Sequence, residues 1–354
     1  MRILITGVCG FVGSRLALAL RSSMDAEIAG VDNFVRPGSA FTRTTLARAG
    51  IRVRHGDVRL PSDIESFGAC DWVIDAAANP SVLAGVDGRT STRQLVEHNL
   101  IGTTNILEFC RTRGAGLVLL STSRVYSIER LCALPLTVRD DAFAPGKGVW
   151  PEGSSPAGIA ESFPTSTPIS LYGATKLASE ALAVEYGTTF GFPVAVNRCG
   201  VIAGAGQFGT AEQGIFSFWL GSWAAGQPLA YLGFDGQGHQ VRDALHPGDL
   251  ASLVDIQLRR GSDASGVWNV GGGPARAISL AQLSRWCTNR IGRHTVTPDR
   301  SPRRWDVPWM VMDGRRATAA FGWEPTRALE EMLTEIAAHY AAHPEWLAMS
   351  RPDD

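Results

Sequence analysis

The chain has 354 residues, 45% of them hydrophobic and 19% charged, with a formal net charge of -1. That is enough apolar chain for a large core in one or two domains, and the balance of charge gives no pull towards nucleic acid or an acidic membrane surface. The six cysteines (Cys9, Cys70, Cys110, Cys132, Cys199 and Cys287) are scattered without a Cys-x-x-Cys pair. They read as reduced thiols of a cytoplasmic protein, not as a disulfide framework or a zinc site, and no metal is expected.

The first half alternates apolar runs with helical ones. Ile3–Thr6, Glu27–Asp32, Ile51–Asp57, Trp72–Ala77 and Leu117–Ser121 read as strands, and Val12–Arg21 and Leu95–Arg113 as helices between them. Apolar strands alternating with helices predict a parallel sheet covered on both faces. The run after Arg2 is too short for a signal peptide. From Ser127 to Leu171 the pattern stops, and the prolines at 135, 145, 151, 156, 164 and 168 suggest a long loop of functional use. A helix is expected over Tyr172–Phe190 and a strand over Pro193–Arg198. The uncharged stretch Gln213–Phe234 is interrupted by Gln227, Pro228 and glycines, so it reads as a buried helix, a turn and a strand, not a membrane span. Shorter elements follow Gly204, ending in a helix near Ala328–Ala342. They suggest a smaller substrate-binding region attached to the sheet domain.

Gly7, Gly10 and Gly13 have the spacing G-x-x-G-x-x-G, directly after the first strand and before a helix. Gly7 suits the tight turn, Gly10 lets backbone approach a pyrophosphate, and Gly13 allows close helix–strand packing. The helix N-terminus offers N–H groups to the phosphates. Asp32 ends the second strand, where a ribose-binding carboxylate belongs; it would repel a 2′-phosphate, which favours NAD over NADP, and Arg36 nearby bears on that choice. Asp57 and Val58, at the end of the third strand, either bracket the adenine or form a simple turn.

Tyr172 and Lys176 stand four apart at the start of the helix that follows the long loop, on one face. A lysine ammonium beside the phenol is expected to lower the tyrosine pKa and make Tyr172 a general base. The fifth strand ends Leu120-Ser121-Thr122-Ser123, placing a hydroxyl at the carboxyl edge of the sheet, where ligands of such folds sit.

On these motifs the chain resembles the extended short-chain dehydrogenase/reductases, the NAD-dependent nucleotide-sugar epimerases and dehydratases, over nearly its whole length. The resemblance implies an α/β, Rossmann-type doubly wound parallel sheet with a smaller C-terminal α/β substrate-binding region. Residues 1–200 would form the NAD-binding domain and 201–354 mainly the substrate-binding region, with some segments returning to the sheet. It implies a triad of Thr122, Tyr172 and Lys176. The NAD site would comprise Gly7, Gly10, Phe11, Val12, Gly13, Asp32, Asn33, Arg36, Asp57, Val58, Ala76, Ala77 and Asn99 together with Tyr172 and Lys176. Asn99 matches the family's structural Asn-x-x-Gly-Thr-x-Asn.

The family's dehydratases carry an Asp-Glu pair after the catalytic threonine; here Ser123-Arg124 stands there, which disfavours dehydration. Gly206-Gln207-Phe208, Glu212-Gln213-Gly214, Gln240-Val241-Arg242-Asp243-Ala244-Leu245-His246 and Trp268–Gly272 resemble the CDP-tyvelose (CDP-paratose) 2-epimerase group. That likeness implies epimerisation at C2 of a CDP-hexose, with a nucleotide-sugar 4-epimerase, or a decarboxylase or other oxidoreductase of a CDP- or UDP-sugar, as the alternatives. Arg242 is expected to clamp the pyrophosphate, its plainer role being an ion pair with Asp243; Ser123, Gln207 and Gln213 are expected at the substrate. Asp243, His246 and Asp249 are expected to fix the following helix. Gly206, Leu171, Val201, Asp75 and Pro308 depart from the family pattern. A homodimer or homotetramer is expected, with no nucleic-acid or membrane partner.

Overall fold

A computed structural model describes residues 1–36, 38–86, 88 and 91–350. Seven strands form the main sheet: β1 (Arg2–Thr6), β2 (Glu27–Asp32), β3 (Arg52–His55), β4 (Trp72–Asp75), β5 (Gly116–Thr122), β6 (Val194–Cys199) and β7 (Gly266–Val270). Their order is β3-β2-β1-β4-β5-β6-β7, and every pairing is parallel. This is the 3-2-1-4-5-6 order of dinucleotide-binding sheets with one strand added.

The main helices are α1 (Phe11–Ser23), α2 (Gly102–Arg113), α3 (Ser170–Phe190), α4 (Ile215–Ala224), α5 (Pro247–Arg260) and α6 (Leu329–Ala342). Successive strand residues face opposite sides, so the run Ile3-Leu4-Ile5 feeds two cores. Ile3 and Ile5 pack with Leu16 and Leu20 of α1 and Leu250 and Val254 of α5. Leu4 packs on the other face with Ile106 and Phe109 of α2 and Ala183 of α3. Fully burying each such side chain is worth about 1.5–3 kcal/mol.

The register lines up the carboxyl ends of the strands. Thr6 lies opposite Asp75, and Cys199 lies opposite Thr122. These ends meet a smaller unit in which Val241–Leu245 pairs with Val201–Ile202, Ala277–Ser279 and Trp309–Met310. Helices α4 and α6 pack together over it, around Trp219, Leu220, Leu333 and Tyr340. β7 and α5 belong to the second half of the chain yet complete the main sheet and its helical cover.

The stretch after Ser127 is not structureless. It holds a helix, Ile128–Cys132, and two hairpins, Leu136–Arg139 with Ala142–Pro145 and Ser154–Ser155 with Gly158–Ile159. Ile159 and Phe163 join a core with Tyr126, Trp309 and Met312, so the insert buttresses the junction of the two units. The first hairpin turns on Asp140 and Asp141, both at positive φ (51° and 57°), the geometry of a tight hairpin turn. Arg285 binds both carboxylates and Ser279 Oγ donates to the carbonyl of Asp141.

Candidate active site

β1 runs out at Thr6 into Gly7, which sits at φ +60°; a Cβ there would lie 2.9 Å from Cα of Ala77. A Cβ on Gly13 would lie 2.3 Å from the carbonyl oxygen of Gly7. The loop can therefore bring backbone close to a ligand while α1 starts directly under it. Gly10 is the N-cap of α1 and no side chain caps the helix, which leaves its N-terminal N–H groups for an anion. Gly7, Gly10, Phe11, Val12 and Gly13 line a cavity of about 820 Å³ that runs past Ala76, Thr122, Ser123 and Tyr172 to Arg242.

At the end of β2, Asp32 is buried, accepting Cys9 N–H at Oδ2 (2.9 Å) and Phe34 N–H at Oδ1 (2.8 Å). Each oxygen keeps a second lone pair for a ribose hydroxyl. Asp57 is held by its own turn: it accepts from Asn33 Nδ2 (3.0 Å) and from Arg59 Nε and Nη2 (2.9 and 2.7 Å). Burial pulls its pKa up, but these bonds win and hold it well below the usual carboxylate range. Val58 is buried against Gly102. Arg36 turns away from Asp32 and donates to Asn79 Oδ1 (3.2 Å), with Tyr172 among its electrostatic neighbours.

Thr122 is the last residue of β5, and Tyr172 and Lys176 occupy the first two turns of α3. Preceding α2, residues Glu97–Ile101 form a π-helical segment, a local widening common at functional sites. It carries Asn99, whose Oδ1 accepts Asn79 N–H (2.7 Å) and whose Nδ2 donates to Asn79 O (3.0 Å) and Thr175 Oγ1 (3.2 Å). Ser179 Oγ donates to the Asn99 carbonyl (2.9 Å). Asn99 thus ties the loop after β4 to the face of α3 between Tyr172 and Lys176.

The Tyr172 phenol shares a hydrogen bond with Thr122, which lowers its pKa, as do Arg124 and Arg36, but burial dominates and pushes it up to about 12. Lys176, expected to lower it, is not among the groups that act on it most strongly. Lys176 is itself buried, 2% exposed; burial depresses its pKa, while Asp75 and Glu180 favour its charged form. Asp75, at the end of β4, accepts from Thr6 Oγ1 (2.7 Å) and Thr103 Oγ1 (3.0 Å). Glu180 accepts from Ser121 Oγ and pairs with Arg198 (2.7 Å), and Arg198 reaches Tyr126. These buried bonds brace the floor beneath the triad.

At the other end, Arg242 Nη2 pairs with Asp306 Oδ1 at 2.8 Å. The alternative ion pair with Asp243 does not form, because Asp243 points elsewhere: its Oδ2 accepts Gly273 N–H (2.9 Å) and Met312 N–H (3.2 Å). Full burial pushes the Asp243 carboxyl up to about 6. His246 Nδ1 accepts Gly248 N–H and caps α5, while Asp249 accepts from Thr326 and Arg327 and so pins the chain after Trp323. Ser123 and Gln213 line the cavity. Gln207 also lines it, but its amide is engaged by Ile202 O (3.2 Å) and Ser217 Oγ (3.4 Å). Sequence reading passed over Arg303 and Asp306, quoted Gln240 only within its motif and gave Arg124 no binding role; all four line the same cavity. Their signal is a juxtaposition of segments some sixty to two hundred residues apart, which no local spacing reveals.

His339 and His343 have the four-residue spacing of a metal-binding pair, with rings 4.8 Å apart. Among the described residues, however, no group of three or more His, Cys, Asp or Glu could hold a metal ion. No helix of the described residues is long and apolar enough to cross a membrane.

A dinucleotide-type glycine loop, a carboxylate at the end of β2 and a Thr-Tyr-Lys set at the sheet's carboxyl edge define a dinucleotide-dependent oxidoreductase site. The chain belongs to the NAD dependent epimerase/dehydratase family, whose model matches residues 3–271. It is 28% identical over 345 residues to the CDP-paratose 2-epimerase of Salmonella typhi, covering 92% of this chain and 95% of that one. It is 27% identical over 340 residues to the UDP-glucuronate 4-epimerase of Thermodesulfobacterium geofontis, covering 93% of each. Among solved structures it is similar to the Thermus thermophilus UDP-glucose 4-epimerase complex with NAD, at a TM-score of 0.77 and 26% identity over 97% of this chain and 100% of that one. NAD is the cofactor, and the glycine loop, the uncapped start of α1 and Asp32 suit its pyrophosphate and ribose.

Proposed function

We propose that the protein is an epimerase that inverts one carbon of a nucleotide-linked sugar by oxidising it to a ketone and reducing it again from the opposite face. The observation that carries this is the single cavity joining the NAD loop, Thr122 and Tyr172, and Arg242, with Ser123 and Arg124 following the threonine. NAD, when bound beside the glycine loop, would supply the hydride acceptor and donor. Tyr172, as phenolate, takes the proton from the sugar hydroxyl while Thr122 holds that oxygen, and it returns the proton in the second half-reaction. The keto sugar turns between the two steps, so protons and electrons balance with no net redox change. Arg242 binds the diphosphate through its guanidinium fork and serves as the pivot for that turn. Lys176 is the buried third member of the set; burial lowers its pKa, while Asp75 and Glu180 beside it favour its charged form.

The finer reading is C2 of a CDP-linked six-carbon sugar, supported by the likeness to CDP-paratose 2-epimerase and by the Gln240–His246 motif. The 4-epimerase reading is supported by the likeness to UDP-glucuronate 4-epimerase. Residues 1–200 serve NAD and 201–354 mainly the substrate, with β7 and α5 contributed back to the sheet. Exposed Ile101, Val184 and Phe190, on or beside the packed helices α2 and α3, support a homodimer or homotetramer. The six unpaired cysteines support a cytoplasmic setting.

The test is to incubate the protein with NAD and CDP- or UDP-sugars and follow the sugar by NMR. An epimer should appear with no loss of water or carbon dioxide, and Tyr172→Phe should abolish turnover while keeping NAD affinity. A dehydrated or decarboxylated product defeats the reading; inversion at C4 selects the alternative position.

A further inference from the structure

Arg124 is a cavity-lining guanidinium that, among the described residues, no carboxylate binds. Its backbone is fixed against the reaction centre. The N–H donates to Thr122 Oγ1 (3.1 Å), and the carbonyl packs on the first turn of α3 so tightly that a Cβ at Gly173 would lie 2.3 Å from it. From there the side chain reaches the carbonyl of Trp305, with Nη1 donating at 3.1 Å. The next residue, Asp306, is already engaged by Arg242. Arg124 therefore stands between the Tyr172 phenol and the Arg242–Asp306 pair, and both are among its electrostatic neighbours, as is Arg303. Burial and the other two arginines push its pKa down to about 10, which leaves it cationic at neutral pH.

A nucleotide sugar with its reacting hydroxyl at Thr122 and Tyr172 and its diphosphate at Arg242 lays its sugar ring alongside Arg124. A neutral sugar presents only hydroxyls there, which Ser123, also lining the cavity, can serve without a charge. Arg124 is half-buried at the cavity wall, and a guanidinium there without an ion-pair partner gains when an anion arrives to pair with it. Its planar fork fits the two oxygens of a carboxylate.

We propose that the sugar carries a carboxylate and that Arg124 binds it, which makes the substrate a nucleoside diphosphate-linked sugar acid and Arg124 its specificity-determining residue. This rests on the nucleotide-sugar reading above, and the competing anion for Arg124 is the diphosphate itself.

The experiment titrates the NAD-loaded protein by calorimetry with UDP, CDP, and the glucose and glucuronate conjugates of each. For the base that binds, the glucuronate compound should bind about ten- to a hundredfold tighter than the glucose compound, the range of a charge-assisted hydrogen-bond pair. In Arg124→Gln that ratio should collapse towards one, and Arg124→Lys should restore part of it. NAD affinity, measured on both variants, shows that they are folded. Equal binding of the glucose and glucuronate compounds to the wild type overturns the proposal. So does an Arg124→Gln variant that loses affinity for the bare nucleoside diphosphate as steeply as for the glucuronate compound, because Arg124 then belongs to the diphosphate. If none of the six compounds binds, the nucleotide-sugar reading itself fails, and this inference with it.

Discussion

Tyr172 is pulled in two directions, and in the proposed role of base that balance would set the pH dependence of turnover. Burial stabilises the neutral phenol, while the Thr122 hydrogen bond and the arginines at 124 and 36 stabilise the phenolate. The base acts deprotonated, so kcat/KM of the free enzyme rises with pH as the phenol ionises. Thr122→Val removes a contact that lowers the pKa. The rising limb should therefore move to more alkaline pH, and kcat/KM at neutral pH should fall about tenfold for each unit of that move. Thr122→Ser should keep the wild-type limb. A pH profile that Thr122→Val leaves in place would show that the hydroxyl does not tune the phenol. Asp32 supports a second residue-scale prediction. Its carboxylate ends β2 beside the glycine loop, and Arg36 is turned to Asn79, so that guanidinium does not pair with it. If Asp32 holds the ribose as proposed, NAD should bind more tightly than NADP, and Asp32→Ala should narrow the gap; equal affinities in the wild type, read by calorimetry, sink this role for Asp32.

At the scale of elements, the site depends on how β5, β6 and α3 are locked together. Glu180 on α3 accepts from Ser121 on β5 and pairs with Arg198 on β6, both side chains being under a tenth exposed. Glu180→Ala leaves Arg198 buried without its partner, which should cost about 3–5 kcal/mol of stability. Urea unfolding checks this; a loss below about 1 kcal/mol would place the pair among those that contribute little. The elements themselves were largely legible, because apolar runs such as Ile3–Thr6 and Trp72–Asp75 are too continuous for anything but buried strands. The insert after Ser127 was not. Its prolines suggested a bare loop, whereas its hairpins are held by distant partners, Arg285 for the Asp140–Asp141 turn and Met312 for Ile159. The site divides the same way. The glycine loop and the Tyr172–Lys176 spacing are local patterns and can be read from sequence. The cluster of Arg124, Arg242, Arg303 and Asp306 exists only after three distant segments meet, as does the placing of Lys176 between Asp75 and Glu180.

For the whole molecule, the decisive arrangement is that the reaction centre lies where the main sheet meets the smaller unit, inside one cavity. The glycine loop approaches from β1 and α1, and Arg242, the proposed diphosphate clamp, from Val241–Leu245 beside the segment around Asp306. A sugar held at its diphosphate can turn over in such a space without leaving it. The hydride removed from the sugar carbon should therefore return to that same carbon on the other face before any exchange. A substrate deuterated at the inverting carbon should give an epimer that keeps its deuterium there, and reduced nicotinamide should not accumulate with turnover. The acid–base groups point the same way. Loss of water from a keto sugar needs a base at the neighbouring carbon and an acid at the departing hydroxyl. After Thr122 this chain offers Ser123, which has no charge, and Arg124, which cannot accept a proton. Turnover in deuterated water should thus leave every sugar carbon unlabelled. Mass spectrometry that finds solvent deuterium on carbon would show that a proton is abstracted beside the ketone. Loss of the substrate's own label would instead show that the hydride escapes. Either result breaks the epimerase mechanism at an identifiable step.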